Sequence, residues 1–126
     1  MAGGMKLLKE RSELPIIADE SCQRLDDVDR CAEFFHGINI KLMKCGGITP
    51  ALKMIEKARK HNLLVMAGCM TESSIGISNL TQLAGLLDYI DADGAMLLKN
   101  DIAEGVYFKD GKIVFSAANG SGAKLF

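Results

Sequence analysis

The stretch Gly37-Ile-Asn-Ile-Lys-Leu-Met43 is an apolar run with a lysine in its later half. Three more apolar runs share its shape, and the four starting points lie 23, 26 and 26 residues apart. The other runs are Leu14–Glu20, Leu63–Cys69 and Tyr89–Asp93. Each gap has room for a helix, and strands that alternate with helices form parallel sheets from β-α-β units. The spacing therefore predicts an α/β fold with about four parallel strands and three intervening helices.

The gaps between the runs carry helical patterns. Apolar residues recur every three or four positions through Ser21–Phe35, which predicts an amphipathic helix. Thr49 followed by Pro50 is typical of an N-cap and a first helical position, and so predicts the start of a second helix. The expected buried face of that helix consists of Leu52, Ile55 and Ala58. A third helix is expected at Ser74–Leu87.

The two ends of the chain lack this alternation. Val106-Tyr-Phe and Lys112-Ile-Val-Phe flank the turn sequence Lys109-Asp-Gly, which predicts a β-hairpin. Residues Asn119–Ala123 should be irregular, and Met1–Met5 should be frayed.

A period near 25 residues also fits a β/α barrel, although a complete barrel takes about 250 residues. Two architectures remain open, namely an open four-stranded α/β layer and the second half of a TIM-type barrel. A half barrel would expose sheet edges where neighbouring strands belong. The predicted organisation is a lead-in segment at 1–13, a half barrel at 14–104, and a hairpin with its tail at 105–126.

Composition excludes several classes of partner. The 126 residues contain 15 Lys and Arg against 16 Asp and Glu, so a net charge of −1 gives no electrostatic basis for binding nucleic acid or an anionic membrane. No apolar run approaches the roughly 20 residues that cross a bilayer. Met1–Glu10 lacks the apolar core of a signal peptide, so we expect a cytoplasmic protein. Its four cysteines are expected to be reduced thiols that serve as small apolar residues, with disulfides or metal ligation as the alternatives.

Ionisable residues gather at the carboxyl ends of the predicted strands, where ligands bind in parallel α/β folds. They are Asp19 and Glu20 in the first run, Lys41 in the second, Gly68–Glu72 after the third, and Asp91 with Asp93 in the fourth. Alternate residues of a strand share a face. We therefore expect Asp91 and Asp93 to point the same way, and Asn39 to point the same way as Lys41.

Each of these features also has a purely structural interpretation. Asp19-Glu20-Ser21 can cap the following helix, Lys41 can be a surface lysine, and Asp91-Ala-Asp93 can be a solvated turn. His36 and His61 fall at predicted helix ends, where an imidazole usually contacts the last carbonyls. The occurrence of ionisable groups on successive strands favours a site, because buried Lys and Asp are rare unless paired or bound to metal.

A family resemblance rests on four stretches. They are Pro15–Ser21, Ile38–Ile48, Gly68–Gly76, and Asp91–Asp93 with Met96–Leu98. These stretches resemble the enolase superfamily, and within it the dipeptide epimerases of the L-Ala-D/L-Glu type. The resemblance extends over residues 6–126, and the Asn-Ile-Lys-Leu-Met-Lys-Cys-Gly-Gly stretch is its most specific part. It implies the C-terminal half of a (β/α)7β barrel whose complete form also has an N-terminal capping domain.

The resemblance also implies residue roles. Three acids would hold Mg2+, of which Asp19 is the third, and Lys41 would be one of two opposed catalytic bases. Asp91 and Asp93 would receive the ammonium group of the substrate. The residues implied to line the substrate pocket are Cys69, Met70, Thr71 and Glu72. The implied reaction is 1,1-proton transfer at the α-carbon of a dipeptide such as L-Ala-D/L-Glu, through an enediolate that Mg2+ stabilises.

The family's other catalytic lysine, its first two metal acids and its capping domain have no counterpart in this sequence. We therefore expect a C-terminal half that is inactive alone, and that either self-associates or needs a missing N-terminal half. A non-catalytic half-barrel binding module is an alternative. A different mandelate-racemase or muconate-lactonizing type of reaction at Asp19 and Lys41 is another. A lysine base that works near neutral pH needs a pKa well below about 10.4.

Overall fold

Parallel strands and helices alternate over most of the chain. The computed structural model describes residues 2–126. Its α-helices are α1 (Ala2–Arg11), α2 (Asp27–Phe34), α3 (Leu42–Cys45), α4 (Ile48–Lys60) and α5 (Ser74–Thr81). Its β-strands are β1 (Ile17–Ala18), β2 (Gly37–Lys41), β3 (Leu64–Gly68), β4 (Tyr89–Ile90), β5 (Ala103–Glu104), β6 (Tyr107–Lys109), β7 (Lys112–Val114) and β8 (Lys124–Leu125). Short 3-10 helices lie at Ala84–Leu86 and Gly94–Leu97.

The central sheet is parallel throughout and has the strand order β1-β2-β3-β4. Each strand comes from one of the four apolar runs, so the predicted α/β fold with four parallel strands is confirmed. In the register of β2 and β3, Lys41 lies opposite Gly68. The outer strands β1 and β4 are only two residues long. The carboxyl ends of all four strands therefore meet at one edge of the sheet.

Helices α2 and α4 cover one face of this sheet and form the main core with it. Fully buried side chains of this core include Val28, Cys31, Ile38, Ile40, Met54, Ala58 and Val65. The predicted buried face of α4 is partly wrong, because Leu52 is 42% exposed whereas Ala51 and Met54 are buried. Among residues 2–126, no helix combines the length and the apolar character that crossing a membrane requires.

Three helix boundaries differ from the predictions. Helix α2 begins at Asp27 rather than at Ser21, since Asp27 Oδ2 accepts the backbone N–H groups of Gln23 and Arg24 and closes a local turn. Helix α4 begins at Ile48 and its N-cap is Gly47, so the predicted cap at Thr49 is wrong. Helix α5 ends at Thr81, and the remainder of the predicted span includes a separate 3-10 turn.

The amino-terminal segment is helical. The prediction that it is frayed is wrong for residues 2–5, which lie in α1, whereas Met1 falls outside the described residues. Helix α1 is fixed to α2 because Lys9 Nζ donates to the carbonyl of Ala32 at 2.8 Å. The histidine prediction is also wrong. His36 Nδ1 accepts the backbone N–H of Ile16 at 2.9 Å, and His61 Nε2 lies 2.8 Å from Asp29.

The predicted hairpin at the carboxyl end is confirmed as β6 and β7. Asp110 and Gly111 have φ of 51° and 72°, which is the left-handed pair that a type I′ hairpin turn requires. Residues 119–123 contain no helix or strand, as expected. The antiparallel pairing of β5 with β8 was not predicted, and it brings Leu125 beside Ala103.

Candidate active site at the strand ends

Asp19 lies between two side chains of the neighbouring strand. It directly follows β1, and its Oδ2 accepts a hydrogen bond from Lys41 Nζ at 2.9 Å. Its Oδ1 accepts a second bond from Asn39 Nδ2 at 3.2 Å. Asn39 and Lys41 are alternate residues of β2, so the prediction that they share a face is confirmed. The β1 and β2 ends thus form one hydrogen-bonded cluster.

A second acid extends this cluster toward solvent. Glu20 Oε1 lies 3.6 Å from Lys41 Nζ and forms a closer ion pair with Lys44 Nζ. This pairing with Lys44 is the main cause that lowers the pKa of Glu20. The Lys41 side chain is only 12% exposed, whereas those of Asp19 and Glu20 are 45% and 68% exposed. Lys41 is therefore the shielded centre of a network whose acids face outward.

The pKa of Lys41 is raised in this arrangement. Its hydrogen bond to Asp19 is the largest cause, and the negative charges of Asp19 and Glu20 act in the same direction against a smaller effect of burial. The expectation of a pKa well below the ordinary lysine value is thus wrong for this arrangement. Two carboxylates favour the charged ammonium form more than partial burial disfavours it.

Gly68 brings the next strand close to this cluster. A Cβ atom at Gly68 would lie 2.8 Å from Nδ2 and 2.9 Å from Oδ1 of Asn39. Asn39 is 7% exposed, and its Oδ1 is buried without a hydrogen-bond partner among the described residues. Only a residue without a side chain fits at position 68 while Asn39 contacts Asp19.

Cys69, Asp91 and Asp93 form a second cluster at the ends of β3 and β4. Their side-chain Sγ and carboxylate oxygen atoms all lie within 4.8 Å of one another. The predicted convergence of Asp91 and Asp93 is therefore confirmed, but β4 ends at Ile90 and a turn rather than a strand brings the carboxylates together. Both aspartates are exposed, and burial raises the pKa of the Cys69 thiol.

The rest of the predicted pocket loop bends back on itself. Glu72 Oε1 accepts the backbone N–H of Met70 at 3.0 Å, and the Met70 side chain is 41% exposed. Thr71 is exposed. Gly94, after the second cluster, packs directly against the backbone of Met70. A cleft of about 520 Å3 opens between the starts of α4 and α5, and Glu72 is the one predicted site residue that lines it.

A family model described as "Enolase C-terminal domain-like" matches residues 1–125. The chain belongs to this family. Its solved neighbours are enolase-superfamily proteins with TIM-barrel folds, and the four parallel strands correspond to part of such a barrel.

Named relatives of this enolase-family chain are epimerases. An "L-Ala-D/L-amino acid epimerase" of Maribacter sp. is 57% identical over 123 residues, which is 97% of this chain and 36% of that protein. An "L-Ala-D/L-Glu epimerase" of Bacteroides thetaiotaomicron is 46% identical over 113 residues, which is 90% of this chain and 30% of that protein. The chain spans about a third of the length of the curated relatives it matches.

A solved structure shows what such a relative binds. The dipeptide epimerase from Enterococcus faecalis, complexed with Mg and the dipeptide L-Leu-L-Tyr, superimposes with a TM-score of 0.86 at 32% identity, covering 97% of this chain and 37% of that one. The substrate-liganded L-Ala-D/L-Glu epimerase from Bacillus subtilis gives a TM-score of 0.88 at 29% identity, with 97% and 36% covered.

Asp19 has the chemistry of one Mg2+ ligand. It offers a half-exposed carboxylate at the strand ends, and Mg2+ prefers such hard oxygen donors. Within residues 2–126, the three-residue grouping of candidate metal ligands is the one around Cys69, not one around Asp19. Asp19 therefore fits as a single member of a ligand set whose other oxygens lie outside these residues.

Two contributors to the site were not identified as such from the sequence. The spacing of Asn39 to Lys41 predicted their shared face, but not that Asn39 fixes the Asp19 carboxylate. Asp101 accepts both the backbone N–H and the hydroxyl of Ser74 at 2.8 Å and so anchors α5 behind the pocket loop. These residues are 27 positions apart, and no local pattern links them.

Proposed function

We propose that this chain supplies one face of a dipeptide epimerase site, with Lys41 as a catalytic base. The observation that carries the proposal is the meeting of two clusters at Gly68: Lys41 with Asp19 on one side, and Asp91 with Asp93 on the other. The epimerase names of the relatives support the same reaction class.

Lys41 would exchange a proton with the α-carbon of the substrate. As the free amine it removes the proton, and as the ammonium it returns one. Its Nζ is held at the end of β2 by Asp19, and its low exposure limits its freedom to reorient. An opposed base on the other face of the carbon, which epimerisation requires, would come from a barrel strand outside these 126 residues.

Asp91 and Asp93 would bind the ammonium group of a dipeptide. Two exposed carboxylates that converge within 4.8 Å offer charge-assisted hydrogen bonds to a primary ammonium. A carboxylic acid without an ammonium group, as other mandelate-racemase or muconate-lactonizing reactions would use, leaves this negative pair without a partner. The clustered aspartates thus favour a dipeptide such as L-Ala-D/L-Glu, with Cys69, Met70, Thr71 and Glu72 on the adjoining loop.

Asp19 would contribute one carboxylate oxygen to Mg2+. The metal, when bound, stabilises the negative charge that develops on the substrate carboxylate as the α-proton leaves. Asn39 holds Asp19 Oδ1, so Oδ2 is the oxygen that Lys41 and a cation would share.

The edges of the sheet support an association. β1 and β4 are its outer strands, and large apolar side chains are exposed elsewhere, with Leu14 at 74%, Met96 at 70% and Phe126 at 85%. An N-terminal half of the barrel, or a second copy of the chain, would cover such surface. A self-associating half barrel without catalysis is the second candidate function, and this exposed apolar surface favours it.

Proton NMR of L-Ala-D-Glu and L-Ala-L-Glu in D2O with Mg2+ tests the proposal. We expect the purified chain to exchange the glutamate α-proton for deuterium, and we expect Lys41→Ala to abolish the exchange. Lys44→Ala is the matched control, since it removes the same charge from the same network but not the proposed base.

The oligomeric mass is measured by light scattering on the same samples. Exchange that Lys41→Ala and Lys44→Ala lose equally would argue against a specific role of Lys41. A folded wild-type chain that gives no exchange in any assembly it forms would exclude the catalytic function and leave the half-barrel module.

A further inference from the structure

Two cysteines are buried together beneath the turn that follows β1. Cys22 and Cys31 are 2% and 1% exposed, and both belong to the main core. Cys31 Sγ lies 3.3 Å from the carbonyl oxygen of Ser21, the residue that precedes Cys22. The two thiols also share a hydrogen bond with each other. Neither has a part in the proposed epimerase site.

We propose that Cys22 and Cys31 are an oxidative modification site, at which a hydroperoxide converts the two neighbouring thiols into a reversible disulfide. The balanced reaction takes two thiols and one H2O2 to one disulfide and two waters. Cys31 sulfur attacks the peroxide and becomes a sulfenic acid as one water leaves. Cys22 sulfur then attacks Cys31 sulfur, and the sulfenic oxygen leaves as the second water.

The hydrogen bond between the thiols assigns these two roles. It lowers the pKa of Cys31 by stabilising its thiolate, and it raises the pKa of Cys22, which stays protonated as the donor. Thiolates are the reactive form toward peroxides. Cys31 is therefore the first sulfur to react, and Cys22 is already in contact with it.

The surrounding chain lets the sulfurs approach. Cys22 lies in the segment between β1 and α2, which forms turns rather than a helix or strand, and its neighbours Ser21 and Gln23 are exposed. Small movements of this segment admit peroxide to the thiols and bring Cys22 to bonding distance of α2. Because the Cys22 backbone N–H donates to the Asp19 carbonyl at 3.1 Å, the disulfide would form directly beside the candidate active site.

Peptide mapping of the oxidised native chain tests this proposal. The folded protein is treated with H2O2, its remaining thiols are alkylated under denaturing conditions, and it is digested with trypsin without reductant. Cleavage after Arg24 and Arg30 separates the cysteines into peptides 12–24 and 31–41. We expect these two peptides to be joined, and dithiothreitol to release them.

The half-exposed Cys69 provides the matched control. In Cys69→Ala the joined peptides should still form, whereas Cys22→Ala and Cys31→Ala should each prevent them. The wild-type digest decides the matter even if a variant fails to fold. Recovery of Cys22 and Cys31 as separate alkylated or over-oxidised peptides would overturn the proposal, as would joined peptides that arise only when oxidation follows unfolding.

Discussion

Lys41 and Asp19 form an ion pair of 2.9 Å between the ends of two adjacent parallel strands. The pair joins a shielded cation to a carboxylate that is nearly half exposed. Its immediate effect is to stabilise the ammonium form of Lys41. A base of this kind depends on what else binds Asp19, because any cation that takes the same oxygen removes the main support of the lysine charge.

Asp19→Asn should lower the pKa of Lys41. The substitution removes a negative charge and weakens the hydrogen bond that is the largest cause of the raised value. A raised lysine pKa stabilises the folded state fully below the unfolded pKa of about 10.4, and this contribution is lost as pH rises through the folded pKa. Titration of the Lys41 side-chain signals by heteronuclear NMR measures the shift.

Glu20→Gln separates the two acids in this experiment. Its effect on the pKa of Lys41 should have the same sign but a smaller size, because Glu20 lies 3.6 Å away and is paired mainly with Lys44. An unchanged pKa of Lys41 in Asp19→Asn would show that the two side chains do not interact in solution.

Gly68→Ala should disturb the site through Asn39. The new Cβ would overlap both terminal atoms of the buried amide, which must then rotate away from Asp19. Overpacking of this kind costs about 1–3 kcal/mol of stability. Urea unfolding measures the loss, and the Asn39 side-chain amide signals report the rotation.

Gly85→Ala is the matched control, since nothing lies within 4 Å of a Cβ at that position. It should leave both the stability and the Asn39 signals close to those of the wild type. If the two variants behave alike, Gly68 does not constrain the amide.

The sequence predicts the centre of the fold better than its margins. The apolar runs locate β2 and β3 within two residues of their observed bounds, because each of these strands is paired on both sides. The outer strands β1 and β4 are shorter than their runs. Helix starts were missed where a side chain makes a competing turn, as Asp27 does with Gln23 and Arg24.

The site shows the same division. Strand alternation is a local rule, and it correctly places Asn39 and Lys41 on one face. The direction of the Lys41 pKa depends on how near Asp19 and Glu20 come after folding, and residue spacing along the chain does not give that distance. Residue roles taken from the family resemblance remain predictions.

Asp88→Ala should destabilise the sheet at neutral pH. Asp88 Oδ2 accepts the backbone N–H of Val65 at 2.7 Å and pairs with Arg59 at 2.6 Å, which ties β3 and the chain before β4 to α4. The side chain is 32% exposed, so solvent screening limits the expected loss to about 1 kcal/mol. Urea unfolding at several pH values measures it.

The pH dependence of this loss follows from the Asp88 pKa. Arg59 and then the Val65 N–H lower it, so the stabilisation is present above the ordinary aspartate pKa of about 3.9 and is lost as pH falls through the folded value. The difference between wild type and Asp88→Ala should therefore shrink in acid. The exposed Asp26→Asn serves as the charge control, and a difference that stays constant with pH would contradict the assigned ion pair.

Asp101→Ala should loosen the start of α5. The carboxylate accepts two hydrogen bonds from Ser74 at 2.8 Å through Oδ2 and the backbone N–H of Ile102 at 2.7 Å through Oδ1. The bonds from Ser74 are the main cause that lowers the pKa of Asp101, so its stabilisation is present above about pH 4 and is lost as pH falls below that. Thermal unfolding should show a lower midpoint for Asp101→Ala at pH 7 and a smaller difference in acid. Amide hydrogen exchange should be faster at Ser74 in this variant, whereas Asp101→Asn, which keeps an acceptor oxygen, should lie between the two. Unchanged exchange at Ser74 in Asp101→Ala would show that the helix start is held by other contacts.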